Sequence, residues 1–104
     1  MKAVGRFGIV GSGWRGEFFL RLARQAPERF AVAGVVTRSK ERGTQVEGRW
    51  GVPTFRSIDE LVAQHPEFVV ACVPWAEMSQ TTQELVQLGT HVLSETPPAP
   101  DLDS

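Results

Sequence analysis

Apolar and polar positions along the chain follow two alternating periods. Residues 6–10 form a short apolar run that Gly11 stops, which predicts a strand. From Trp14 onward, Phe18, Phe19, Leu22, Ala23 and Ala26 recur at three- and four-residue spacing. That is the stripe of an amphipathic helix over 14–25, which Pro27 helps to end. Residues 30–36 are β-branched and apolar on both faces, as a buried strand requires. Residues 39–50 are charged and weakly helical, because Gly43 and Gly48 each cost about 1 kcal/mol against alanine. A very short strand is expected over 52–55. Ser57 can cap a short helix through Gln64, with Glu60 three residues later completing a capping box. A second buried strand follows at 68–73, then a helix over 76–88 with Met78, Leu85 and Val86 facing inward. Gly89 caps that helix, and 90–94 is the last strand.

Strands alternating with helices predict an α/β fold: a doubly wound parallel sheet of about five strands with helices on both faces. The chain has 104 residues, which limits it to one domain. That domain is expected over 1–97, and 98–104 continues the segment Pro97-Pro98-Ala99-Pro100 as a tail or linker. Hydrophobic residues make up 41% and charged residues 22%, an ordinary globular composition. The formal net charge of −1 gives no bulk attraction for nucleic acid or an anionic membrane. No apolar run approaches the roughly 18 residues that span a bilayer. Arg6 interrupts any apolar core of a leader, so the first residues read as strand and not signal peptide. Cys72 is the one cysteine, which excludes an internal disulfide framework and fits a reducing cytoplasm.

The chemistry concentrates at Gly11-Ser12-Gly13-Trp14-Arg15-Gly16, a GxGxxG pattern. Such a pattern alone is weak, but here it follows a strand and opens a helix, the context that dinucleotide binding requires. Gly11 would make the tight turn, Gly13 would let a pyrophosphate approach the backbone, and Gly16 would let helix and strand pack closely. The helix start then favours phosphate charge through its N–H groups and dipole. The bland alternative is a glycine-rich turn without a ligand. Arg15 either reaches a phosphate or faces solvent. These features predict a Rossmann-type dinucleotide site.

At the end of the second strand, NAD-preferring domains place a carboxylate on the ribose 2′-hydroxyl. This chain has Thr37-Arg38-Ser39 there, with Lys40 next. Arg38 can hold a 2′-phosphate in bidentate fashion, with the Thr37 and Ser39 hydroxyls as further donors. The expected cofactor is therefore NADP(H), with NAD(H) as the alternative. The plain reading of Arg38 is an exposed cation at a helix start.

The chain resembles the N-terminal domain of the glucose–fructose oxidoreductase and inositol dehydrogenase (Gfo/Idh/MocA) family. The resemblance rests on Phe7-Gly8-Ile9-Val10-Gly11-Ser12-Gly13, Trp50-Gly51-Val52-Pro53-Thr54-Phe55, Val73-Pro74 and Gly89-Thr90-His91-Val92-Leu93-Ser94-Glu95-Thr96-Pro97. It implies a two-domain NAD(P)-dependent oxidoreductase acting on a sugar-like or polyol-like substrate. Val73, Pro74, Trp75, Glu95 and Pro97 would join the cofactor site, Glu95 near the nicotinamide ribose or else as an exposed strand-end carboxylate. The family's C-terminal domain supplies most of the substrate site and the oligomer contacts. The chain stops in a Pro-rich segment, so it is expected to be a fragment, inactive alone without that domain.

The resemblance breaks where catalysis is concerned. The family's Glu-Lys-Pro reads Glu95-Thr96-Pro97, and a threonine hydroxyl is too weak an acid to serve near neutral pH. The family's Thr-Pro-Asn reads Val73-Pro74-Trp75, and Met78 stands where histidine is often found. No catalytic residue is assigned. A second function class follows: a nucleotide-sensing or scaffolding protein that keeps the fold without catalysis. A third is an assembly module. If the sheet ends at five strands, its last edge can pair with a second copy into a homo-oligomer.

His65 and His91 are read as structural, Cys72 as a small apolar residue of a buried strand, and Asp101 and Asp103 as solvated tail. No spacing suggests a metal site. Ser79, Thr81 and Thr82 have no histidine at a motif spacing, so no catalytic triad is expected.

Overall fold

The computed structural model describes residues 5–11 and 13–94, without the side chains of Trp14, Trp75 and Ser94. In chain order the elements are β1 (Gly5–Val10), α1 (Trp14–Gln25), β2 (Phe30–Val36), α2 (Lys40–Trp50), β3 (Thr54–Phe55), α3 (Ile58–Val62), β4 (Phe68–Ala71), α4 (Trp75–Gln87) and β5 (Val92–Ser94). The strands form one sheet in the order β3-β2-β1-β4-β5, and every pairing is parallel. The chain winds outward from β1 to one edge, then returns to its other side, so the switch point lies between β1 and β4.

The core divides into two layers. On one face Phe7, Ile9, Val35 and Val70 of the sheet meet Leu20 and Ala23 of α1 and Val46 of α2. On the other, Val10 and Val69 meet Ile58 and Leu61 of α3 and Leu85 of α4. The expected doubly wound arrangement is thus present. Strand β2 is less regular than its apolar run suggests. Phe7 pairs with Val32 but Gly8 pairs with Gly34, so Ala33 is an extra residue. This bulge lets Val32 and Val35 pack on the same face despite their odd spacing.

Several sequence expectations change in detail. In α1, Leu20 is 3% exposed and Ala23 7%, whereas Phe18 is 57% and Leu22 36%. The inner stripe is centred on Gly16, Leu20 and Ala23, because Gly16 brings the helix close against Gly11 and Ile9. A count of apolar letters omits glycine and so rotates the face wrongly. In α4, Met78, Thr81 and Leu85 point inward, while Val86, expected inside, is 60% exposed. Strand β4 ends at Ala71 and not at Val73, and β5 begins at Val92 and not at Thr90.

The second helix forms despite its glycines. Ser39 Oγ accepts from the Arg42 N–H, and Gly51 closes the other end in the left-handed conformation. Gly43 is required by packing: a Cβ there would lie 2.8 Å from Thr54 Oγ1. Ser57 caps α3 as expected by accepting from Glu60 N at 3.2 Å. The Glu60 carboxylate accepts from Arg56 N at 3.1 Å, one residue before the cap, so the capping box is offset. That helix is short but seated deeply, since Leu61 is fully buried and fills the space above Gly8.

Candidate cofactor-binding site

The loop after β1 is pinned between its two neighbouring strands. Gly11 N–H donates to the Val36 carbonyl at 2.9 Å, and Cys72 N–H donates to the Val10 carbonyl at 2.8 Å. Gly11 has φ 106°, and a Cβ on it would collide with the Cys72 carbonyl oxygen. Only glycine satisfies both conditions. A Cβ on Gly16 would lie 2.5 Å from the Gly11 carbonyl oxygen, so this residue draws α1 onto the end of β1.

Gly13 differs from both. It is the N-cap of α1 with ordinary extended angles, φ −73° and ψ −166°. A Cβ there would meet nothing within 4 Å, and no side chain caps the helix start. The backbone at this point therefore faces open space with N–H groups and the positive helix end directed outward. A pyrophosphate fits that surface: the space is open where the ligand's charge is favoured and closed where the backbone must turn.

This surface is one wall of a cleft of about 1040 Å³ at the carboxyl ends of β1, β2 and β4. The loop after β2 contributes Thr37, Arg38 and Ser39, and α2 adds Arg42. Arg56, Ser57 and Ile58 enter from the turn before α3. Cys72, Val73 and Pro74 follow β4, and Glu77, Thr81 and Glu84 line the cleft from α4. Arg15 completes a set of four arginines.

The three residues after β2 take different parts. Thr37 is buried, and its hydroxyl donates to the Ser39 carbonyl at 3.0 Å. Its proton is thus spent inside the loop, where the sequence reading counts it as a donor to ligand. Ser39 accepts from Arg42 N at 3.1 Å, which leaves its own proton uncommitted by that bond. Arg38 is exposed and donates to Glu77 Oε2 at 2.7 Å. Its carbonyl accepts from Arg56 Nη2 at 2.9 Å, which ties the β3–α3 turn to the end of β2. No carboxylate stands among these three residues.

Of the residues singled out in the sequence, Gly11, Gly13, Arg15, Thr37, Arg38, Ser39, Val73 and Pro74 come together in this cleft. Gly16 supports it from behind, and Trp75 opens α4 at its edge. Ser12, Glu95, Thr96 and Pro97 lie outside the described residues. Arg42, Arg56, Glu77 and Glu84 were not anticipated. Arg42 stands one turn from Arg38 in sequence, a signal that could have found it. Arg56 arrives only because β3 pairs beside β2, which no local pattern reveals.

Cys72 sits just beyond β4, half-buried in the cleft wall, not within the strand. His65 and His91 lie elsewhere, both lining a smaller depression of about 470 Å³ with Asp59 and Glu67. Among the described residues no group of three or more His, Cys, Asp or Glu could hold a metal ion. Among them, too, no helix is long and apolar enough to cross a membrane.

Solved structures share this fold. GenD2 from gentamicin A biosynthesis, in complex with NAD, is 25% identical and matches 90% of this chain with a TM-score of 0.78. UDP-N-acetylglucosamine 3-dehydrogenase GnnA from Acidithiobacillus ferrooxidans is 28% identical over 89% of this chain, with a TM-score of 0.75. Biliverdin reductase from Synechocystis sp. PCC 6803, with biliverdin and NADP+, is 20% identical over 91% of the chain, with a TM-score of 0.78, and shows the fold alone. The chain spans 27% of GenD2 and 30% of each of the other two. Among curated proteins none matches it by sequence. The family model GFO_IDH_MocA, an oxidoreductase family with an NAD-binding Rossmann fold, matches residues 5–104. This chain belongs to that oxidoreductase family and forms its NAD-binding Rossmann domain.

Proposed function

We propose that the domain binds NADP(H) in preference to NAD(H), as the cofactor unit of an oxidoreductase acting on a sugar-like or polyol-like substrate. The observation that carries the preference is the end of β2. Arg38 stands there with Ser39 beside it, Arg42 and Arg56 line the same cleft, and no carboxylate occupies the loop. A guanidinium matches the geometry and charge of a 2′-phosphate, whereas a 2′-hydroxyl gains little from it. GenD2 was solved with NAD, so the preference rests on this chain's own residues.

The backbone of Gly13 and the start of α1 would hold the pyrophosphate, with Gly11 turning the loop beneath it, and Arg38 with Ser39 the 2′-phosphate. When bound, the nicotinamide supplies the hydride chemistry, and the protein positions it. The chain's own residues orient the dinucleotide through a rigid loop and a polar cleft wall. The test is a titration with NADPH and NADH in parallel. NADPH binding about tenfold tighter or more is expected, and equal affinities overturn the preference.

The substrate class draws on GnnA, a nucleotide-sugar dehydrogenase by name. Turnover is expected to need a second domain, so the 104-residue chain should bind cofactor without oxidising or reducing substrate. Hydride transfer by this chain alone would refute that. Thr96, where the family carries lysine, favours one other reading: a nucleotide-sensing or scaffolding protein. Placing lysine by Thr96→Lys in a longer form that includes the substrate domain separates the two, since a gain in turnover argues for an enzyme. The single cysteine suits a cytoplasmic setting.

A further inference from the structure

Arg38 is engaged with a second residue of the cleft. Its Nη2 lies 2.7 Å from Glu77 Oε2, with the two side chains 71% and 50% exposed. Arg38 follows β2 and Glu77 stands in the first turn of α4, just after β4. Strands β2 and β4 flank β1 on its two sides. The ion pair therefore spans the phosphate loop from one flank to the other.

Glu77 suits the first turn of α4, where a carboxylate meets the positive helix end, but its side-chain bond goes across the cleft to Arg38. It does not cap α4, whose N-cap is Pro74 without a side-chain bond. It is exposed, while the inner face of its helix is Met78, Thr81 and Leu85. Its carboxylate holds Arg38, the cation assigned above to the 2′-phosphate.

We infer that Glu77 is a cofactor-selectivity residue that competes with the 2′-phosphate for Arg38. The inference rests on the reading of Arg38 given above. A 2′-phosphorylated dinucleotide must displace the carboxylate from Arg38, whereas NAD(H) needs no such exchange. The pair is exposed and thus weak, so a phosphate carrying more charge can win. Glu77 thereby lowers the NADP(H)/NAD(H) affinity ratio below the value Arg38 alone would give, and salt weakens its effect.

Glu77→Gln removes the charge and keeps the shape. In titrations of the full chain, NADPH affinity should rise about three- to fivefold. NADH affinity should stay within about twofold. On an Arg38→Ala background the same substitution should leave the NADPH/NADH ratio unchanged. Glu77→Ala should repeat the result with a different side chain, and circular dichroism reports folding of each variant. An unchanged ratio in both Glu77 variants overturns the inference, as does an equal gain without Arg38, which would mark a general charge effect. Failure of the underlying reading looks different: Arg38→Ala would then leave the native ratio where it was.

Discussion

The backbone of Gly16 approaches the Gly11 carbonyl oxygen so closely that an added Cβ would fall 2.5 Å from it. Helix and phosphate loop are locked together at that point. Gly16→Ala must push α1 away from β1, and a loss of about 1–3 kcal/mol in chemical denaturation is expected.

Gly13→Ala should behave oppositely. Its angles suit alanine and its Cβ would enter open space. Stability should fall by no more than about 1 kcal/mol, the loss that follows from alanine being a poorer N-cap than glycine. The methyl group would stand where the pyrophosphate must approach, so dinucleotide affinity should fall by about tenfold or more in calorimetric titration.

Ser39→Asp separates two duties of one residue. Aspartate caps helices as well as serine, so α2 and the melting temperature should hold. A carboxylate at the end of β2 repels a 2′-phosphate and can accept from a 2′-hydroxyl. The NADPH/NADH affinity ratio should drop about tenfold or more. A retained ratio would show that this loop does not face the 2′ position.

Arg38→Ala should cost NADPH about 10- to 100-fold in affinity, the range for a hydrogen bond to a charged group. NADH should change by less than about twofold. Equal losses for both would mean that Arg38 serves the pyrophosphate or the fold.

Leu61 is fully buried above Gly8 and belongs to a helix of only five residues. Leu61→Ala leaves a cavity between α3 and the sheet, and a loss of about 2–5 kcal/mol is expected on urea denaturation. Because Ile58 of α3 lines the cleft, dinucleotide affinity measured on the variant should fall as well.

Much of this protein is determined locally, and the sequence shows it. The alternation of periods specifies strand or helix because each element buries a face at its own spacing, and several of its switches are visible as glycine, proline or serine signals, at Gly11, Pro27, Ser57 and Gly89. The GxGxxG loop is equally local: a positive φ at Gly11 and an open backbone at Gly13 are demands on single residues. Tertiary structure alone decided which faces and which neighbours result. The inner face of α1 follows from how closely Gly16 lets it dock, so Phe18 turns outward although it is large and apolar. The bulge at Ala33 resets the parity of β2 in a run where every residue is apolar and pattern carries no information. Arg56 and Glu77 reach Arg38 across 18 and 39 positions of chain, because the strand order sets β3 and β4 on either side of β1 and β2. Residue spacing encodes what a segment must bury; only the packed sheet determines which distant charges share a cleft.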